Sequence, residues 1–401
     1  MDSNNPVAKM HYSASSVYLD HAATTPCLQS VVEAMAPYLT EIFANPSNKY
    51  HLPGRQAFDA VEKARSQVAA SIGAHQSEVI WTSGTTESNN LAILGFINQN
   101  KLHRSDNPPP HVITVGSEHK SVLSVFNQLR ALGLEVTVLS PDPHGGIDSE
   151  RIKSAFRKNT ILVSTMWANN ELGTINPIQS IADQCHQSGI AFHTDAAQIF
   201  GKEVIDVGSC MASFVSFSPH KMGGPKGIGA LYVRNLGSSR VVDPIIFGGG
   251  QENGLRSGTL NVPAIIGFGA ACSHMNVNLV EESRLLASKR DTIEIEIMKE
   301  LHGCRINGNQ ERRVPHISSI TLPIREGVDV IEKLSRIACS TGSACSSHDR
   351  KPSHVLNSIG IRGQEARNTI RLSVGRTTSD ENIRDAVLEI IGISRQFSSN
   401  S

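Results

Sequence analysis

From residue 78 to residue 217 the chain repeats one pattern: a short apolar run, a polar turn, then an amphipathic stretch. The apolar runs are Glu78 to Trp81, His111 to Val115, Leu134 to Leu139, Thr160 to Ala168, Ile190 to Thr194 and the run opening at Ser213. Between them, helical periodicity covers Leu91 to Asn98, the stretch up to Leu132, Asp148 to Lys158 and Pro177 to Gln187. Strands alternating with helices predict a mostly parallel sheet with helices on both faces, hence an α/β fold. Parallel neighbours need long crossovers, so every strand end carries a loop at the same edge of the sheet. His119, Asn170, Asp195 and Gln198 all follow carboxyl ends of strands. That is the edge where open α/β sheets bind ligands.

The flanks are different in character. Met1 to Ser16 is polar, lacks the apolar core of a secretory signal, and reads as a flexible arm. Val31 to Phe43 and Arg55 to Ile72 are expected helices, the second with Ala57, Val61, Ala64 and Val68 on one face. After residue 263 a long helix to about Leu301 leads into a mixed region. There Ile317 to Leu322 and Ile370 to Val374 read as strands, and Ser379 to Arg395 as an amphipathic helix. The expected organisation is an arm over 1–16, a large domain over 17–264 and a smaller α+β domain over 265–401.

Bulk numbers exclude several function classes. A formal net charge of zero argues against a nucleic-acid or membrane surface, and no apolar run is long enough to cross a bilayer. Seven cysteines are scattered without a CxxC pair. This argues against a disulfide framework and a structural metal site, and for a reducing, cytoplasmic compartment.

Ser213-Phe-Val-Ser-Phe-Ser-Pro-His-Lys221 runs into a turn rich in Gly and Pro, and a second β-rich run follows. A lysine held in a concave, poorly hydrated site loses part of its preference for the charged form and can act as a nucleophilic amine. Asp195, at another strand end, has the chemistry to keep a pyridinium nitrogen protonated. Thr85 and Thr86 fall at a helix start, where free N–H groups attract an anion; an ordinary N-cap with a capping-box Glu reads equally well. With Ser218 and His220 they form a candidate phosphate cradle, and His119 can stack on a flat ring. Together these residues are what pyridoxal 5'-phosphate needs. A second constellation is Cys339-Ser-Thr-Gly-Ser-Ala-Cys-Ser-Ser-His-Asp349, small and polar throughout. Cys345 at its centre reads as a reachable nucleophile, and Cys339 as structural.

The chain resembles the cysteine desulfurases of the NifS/IscS group, class V, fold-type I pyridoxal phosphate enzymes. The matching motifs include Tyr18-Leu-Asp-His-Ala-Ala-Thr-Thr-Pro26, Thr82-Ser-Gly-Thr-Thr-Glu-Ser-Asn-Asn90, Glu118-His-Lys120, Asn169-Asn-Glu-Leu-Gly173, His193-Thr-Asp-Ala-Ala-Gln198, Ser218-Pro-His-Lys221, Arg256-Ser-Gly-Thr259, Gly342-Ser-Ala-Cys-Ser-Ser347 and Arg371-Leu-Ser-Val-Gly-Arg376. The resemblance implies a seven-stranded sheet and Lys221 as the Schiff-base lysine. Asp195 would hold the pyridine nitrogen, Asn170 and Gln198 the ring hydroxyl, and His119 the ring face. Thr85, Thr86, Ser218 and His220 would hold the phosphate, with Thr259 entering from the second subunit of a homodimer. Asn45, Asn170 and Arg371 would bind L-cysteine, Arg371 clamping its carboxylate.

The implied reaction removes sulfur from L-cysteine, leaving L-alanine and a persulfide on Cys345 for a sulfur-acceptor protein. Iron–sulfur cluster assembly, tRNA thiolation and DNA phosphorothioation are the candidate destinations. The last is suggested by Phe247-Gly-Gly-Gly-Gln-Glu252 and Val314-Pro-His-Ile317. A selenocysteine lyase, suggested by Ala366-Arg-Asn-Thr-Ile-Arg-Leu-Ser-Val-Gly-Arg376, and a class V aminotransferase are the alternatives. The chain departs from the group's usual pattern at Asn48, Lys49 and Pro219, and is expected to do without the group's scaffold-docking tail.

Overall fold

The computed structural model describes residues 16–100, 108–236, 241–325, 327–341 and 353–398. Seven strands build the main sheet: β2 (Val79–Thr82), β3 (His111–Val115), β4 (Glu135–Leu139), β5 (Thr160–Ser164), β6 (Ala191–Asp195), β7 (Phe214–Phe217) and β8 (Gly229–Val233). Their spatial order is β2-β8-β7-β6-β5-β3-β4. The ladders from β7 to β4 are parallel, and β8 alone runs antiparallel to both its neighbours. Every residue of β2, β3, β7 and β8 is buried. Strands covered on both faces read as continuous apolar runs rather than alternating ones, which is why they stand out in the sequence.

The crossover helices are α3 (Leu52–Ala70), α4 (Thr85–Gln99), α5 (Lys120–Ala131), α6 (Ser149–Ser154) and α7 (Ile178–Gln187), preceded by α1 (Gln29–Met35) and α2 (Pro37–Thr40). The helix expected from Val31 to Phe43 is interrupted after Ala36 because Pro37 offers no N–H to continue the ladder. The strand expected from 160 to 168 ends at Ser164 and the helix from 148 to 158 at Ser154. In both cases the chain turns before the apolar pattern runs out. One face of the sheet packs on α1, α3, α7 and the start of α8 (Val262–Glu300), burying Val61, Val68, Phe192, Phe217 and Phe268. The other face packs on α4 and α5 through Ile93, Ile97, Phe126 and Leu129.

A second core surrounds a three-stranded antiparallel sheet, β12-β10-β9. Here β9 is Arg305–Asn307, β10 Ile317–Thr321 and β12 Thr369–Ser373. Against it lie α11 (Asp380–Phe397) and the parallel pair of β1 (Val17–Tyr18) with β11 (Ile337–Ala338). Two short helices, α9 (His354–Ser358) and α10 (Gly363–Arg367), complete the set. The cores exchange segments. Leu19 at the start of the chain is buried in the second core, while α8 buries Ile265, Phe268 and Cys272 in the first and Leu286, Ile293 and Ile297 in the second. A single cut at 264/265 therefore does not separate them. No helix among the described residues is long and apolar enough to cross a membrane.

Candidate active site

The path of the sheet reverses between β3 and β5: β4 lies on one side of β3 and β5 on the other. A crevice at the carboxyl ends is expected at such a switch point. A cavity of about 530 Å³ opens there. Among its lining residues are Thr85, Thr86, His119, Asn170, Asp195, Gln198, His220, Lys221 and Arg371. Residues separated by up to 286 positions, from Thr85 to Arg371, thus meet in one site.

The anion end is the start of α4. Its N-cap is Gly84, which has no side chain to cap the first turn. A Cβ on Gly84 would meet nothing within 4 Å, while a Cβ on Gly229 of β8 would come within 2.6 Å of Gly84 Cα. Glycine at 229 is what lets β8 pass so close beneath the loop. The helix therefore presents uncapped N–H groups, and its positive dipole end, to the cavity. Thr85 donates from Oγ1 to Ser218 Oγ at 2.9 Å. The alternative reading of this junction as a capping box is not what forms. Glu87 does accept from Ser83 N–H at 2.8 Å, but its carboxylate also pairs with Arg256, and the cap position has no oxygen to reciprocate.

The acid end is Asp195. Its Oδ1 accepts the Ala197 N–H at 2.9 Å and its Oδ2 an amide proton of Asn89 at 2.8 Å. Asn89 gives its second proton to Ser121 Oγ at 2.9 Å. With that oxygen occupied, the Ser121 hydroxyl turns its own proton to His119 Nδ1 at 2.8 Å, which also accepts the Ser121 N–H. Two donors on Nδ1 leave the proton of a neutral ring on Nε2. Burial holds His119 below its ordinary pKa; Asp195 opposes this, and the positive charges of Lys221, His354 and Lys120 reinforce it. A neutral imidazole so oriented suits stacking on a flat ring. His220 is held down to about 4, first by burial and then by Lys221 and Lys226.

On the opposite wall Asn170 has a buried Oδ1 without a partner among the described residues. Gln198 donates to Ala22 C=O at 3.0 Å and lies 3.4 Å from His316 Nε2. Arg371, buried on β12, donates to Asn170 C=O and to Asp20 Oδ1, both at 2.7 Å, and its Nε has no partner among the described residues. Thr259 and Asn45 do not line this cavity. Both are exposed, and Asn45 accepts the Ser47 N–H in a local turn. Cys345 lies outside the described residues. Sequence reasoning missed Asn89, Ser121, Glu118, Glu171 and His354. The signal for Asn89 was a polar residue within a helix whose neighbours face the core.

These groups match pyridoxal phosphate piece by piece. An uncapped helix start flanked by hydroxyls suits its phosphate, a carboxylate already fixed by two donors suits its ring nitrogen, and an unpartnered amide suits its ring hydroxyl. Lys221 lines the cavity between them.

Comparison with known proteins agrees. The Aminotransferase class-V model matches residues 17–385. Cysteine desulfurase IscS of Methylobacillus flagellatus is 42% identical over 367 residues, covering 92% of this chain and 89% of the relative. Among solved structures, a NifS-like protein superposes with a TM-score of 0.86 at 31% identity, over 95% of this chain and 100% of the other. The structure of SspA in complex with cysteine superposes at 0.80 and 38%, over 90% and 99%. The chain belongs to the class-V aminotransferase family, among its pyridoxal phosphate-dependent cysteine desulfurases.

Proposed function

We propose that this enzyme is a cysteine desulfurase that takes the sulfur of L-cysteine onto Cys345 and releases L-alanine. One C–S bond of the substrate and the S–H bond of Cys345 break, and one S–S bond and one C–H bond at the substrate Cβ form. The thiol proton and hydrogens of L-cysteine are conserved between L-alanine and the Cys345 persulfide, so no external oxidant or reductant enters.

The observation that carries this reading is where the chain on either side of Cys345 is attached. Upstream, Ser340 exchanges backbone hydrogen bonds with Arg371, a cavity residue. Downstream, Ser353 bonds to Glu171 and His354 to the Glu118 carbonyl, and Glu171 and His354 line the cavity. Cys345 is five positions from Ser340 and eight from Ser353. At roughly 3.5 Å per residue, the thiol is tied to within about 18 Å of the upstream anchor. A nucleophile meant to reach the substrate requires such tethering; an incidental loop thiol does not.

Pyridoxal phosphate, when bound, supplies an electron sink for charge at the substrate Cα. The chain supplies the rest. Lys221 Nζ tethers the cofactor and takes the Cα proton. Asp195 keeps the ring nitrogen protonated, and the α4 start with Thr85, Thr86, Ser218 and His220 holds the phosphate. Asn170 and Gln198 face the ring hydroxyl, and Arg371 receives the substrate carboxylate. Asn45 and Thr259, both outside this cavity and exposed, suit a homodimer in which Thr259 of the partner subunit reaches the phosphate. The persulfide sulfur then passes to an acceptor protein.

Replacing Cys345→Ser should keep the visible Schiff-base band and its change on adding L-cysteine, and abolish persulfide and sulfide. Replacing Lys221→Ala should remove the band. Persulfide formation by the Cys345→Ser enzyme at the parent rate would falsify the reading. Amine transfer to a keto acid without sulfide release would favour an aminotransferase instead.

A further inference from the structure

Two buried acids close to the cavity take no part in the chemistry above. Glu118 and Glu171 are 0% and 1% exposed, in the segments that follow β3 and β5, and Glu171 lines the cavity. Glu118 has its Oε1 on the Met166 N–H at 2.6 Å and its Oε2 without a partner among the described residues, and only its backbone carbonyl meets the chain beyond Cys345, accepting from His354 Nε2 at 2.8 Å. Glu171 makes a different kind of contact. Its Oε2 accepts from the Ser353 hydroxyl, across 182 residues of sequence, and its Oε1 has no partner among the described residues.

The direction of that bond is fixed by chemistry. Ser353 is the N-cap of α9, and its oxygen accepts the N–H groups of Val355 and Leu356, both at 3.1 Å. A hydroxyl has two acceptor sites and one proton. With both acceptor sites used, the proton goes to Glu171. Beside it, Leu172 packs with Val355, Leu356, Ile361 and Ala366 in a small apolar cluster of its own. Apolar contact alone is non-directional and tolerates sliding, whereas the Ser353–Glu171 bond defines one position. Burial pushes the Glu171 carboxyl up, and the Ser353 bond with the charges of His354, Arg371 and Lys120 opposes this. A buried acid with one oxygen unpaired is a costly way to hold a helix cap, so a purely structural joint has cheaper solutions.

We propose that Glu171 is a positioning residue for sulfur transfer: by holding the Ser353 hydroxyl it sets where the chain bearing Cys345 rejoins the cavity wall. The proposal rests on the reading of Cys345 as the nucleophile. It differs from a stability role in one measurable respect, because it acts on the step in which the thiol meets the substrate and not on cofactor or cysteine binding.

The test uses the cofactor-loaded full chain. Persulfide formation is followed by intact mass, and L-cysteine binding by the change in the visible band. Glu171→Ala and Ser353→Ala should each slow persulfide formation by about 10- to 100-fold, the cost expected for misplacing a reacting group by an ångström. Half-saturation of the spectral change should stay within twofold of the parent. The double variant should be no slower than the slower single, since both remove one bond. Glu171→Gln, whose Oε1 still accepts from Ser353, should recover the rate to within a few-fold. Parent rates in both alanine variants would overturn the proposal. So would additive losses, or a shift in half-saturation that matches the loss of rate. Cys345→Ser run alongside separates the two claims: if it is inactive while Glu171→Ala is normal, only the positioning role fails. If it forms persulfide, the thiol reading fails with it.

Discussion

The floor and the rim of the cavity are built by different means. The floor comes from the crossovers of one sheet. Asp195, Asn89, Ser121 and His119 form a single hydrogen-bonded chain, and Thr85 joins Ser218, all between residues 85 and 218. The rim exists only where the second core meets the first. Arg371 reaches back 351 residues to Asp20 and 201 to Asn170; Ser353 reaches 182 to Glu171, and His316 lies 118 from Gln198. The floor's acid, amide, hydroxyl and imidazole bond one another, though Asn89 Oδ1 has no partner among the described residues. The rim keeps unpartnered atoms at Asn170 Oδ1, Glu171 Oε1, Arg371 Nε and His316 Nδ1. What separates the two regions is therefore the reach of their contacts, within the crossovers of one sheet on the floor and between the two cores on the rim. The difference suits the division of labour proposed above, with the cofactor on the floor and substrate and sulfur at the rim.

The largest effect expected from this division is on the floor. Asp195→Asn exchanges an acceptor oxygen for an amide that cannot keep a ring nitrogen protonated, and it sets two amides, Asn89 and the new one, against each other. Turnover should fall on the order of 100- to 1,000-fold, as for removal of a preorganised electrostatic partner. The shape of the cofactor band should change as well. A variant that turns over within tenfold of the parent removes Asp195 from the floor's function. On the rim, Arg371→Lys keeps the charge but loses the planar fork. Half-saturation for L-cysteine should rise by about 10- to 100-fold, corresponding to one or two lost charge-assisted hydrogen bonds. The cofactor band without substrate should not move. If the band moves and half-saturation does not, the roles of the two regions are reversed.

The same division explains what could be read from the sequence. Floor residues follow strands whose burial makes them legible, so Asp195, His119 and Lys221 could be placed at one sheet edge, although each reads as a site residue only together with the others. The start of α4 was harder. Thr-Thr-Glu-Ser-Asn-Asn lacks an apolar rhythm, so periodicity begins at Leu91 although the helix begins at Thr85. Pro37 was a legible break inside an expected helix. The rim was mostly illegible. Arg371 was reached only through the resemblance, because no local pattern says that its guanidinium will meet Asp20. Glu171 looked like an ordinary loop acid, since its meaning depends on Ser353. The pairing of β1 with β11, two residues long and 320 apart, has no local signature at all.

The smallest effect tests the seam between the regions, and it is one of stability. His21 lies there, edge-on to Tyr18 at 4.9 Å and so close to Gly375 that a Cβ at 375 would come within 2.4 Å of its ring. Neither ring nitrogen has a partner among the described residues. Burial first, then the positive charges of Lys202 and Lys289, hold its pKa down from 6.5 to about 4. In the unfolded chain this imidazole takes up a proton as pH falls through 6.5; in the folded chain it stays neutral until about 4. The unfolded state therefore binds more protons across that window. The group's contribution to stability is complete above pH 6.5 and is lost as pH falls toward 4, reaching about 3 kcal/mol at the bottom. His21→Leu should flatten the slope of unfolding free energy against pH by about one proton over this window. At pH 7.5 stability should change by less than about 1 kcal/mol, since no hydrogen bond is lost. The floor supplies the contrast. His193 is also held at about 4, but its ring bonds Ser164 at 2.8 Å and Ser216 at 3.0 Å. His193→Leu should flatten the slope equally and also lower stability at every pH, by about 1–3 kcal/mol for the hydroxyls left without partners. Denaturant unfolding at a series of pH values reads both variants. If the two behave alike at pH 7.5, the distinction between a partnered imidazole on the floor and an unpartnered one at the seam is lost.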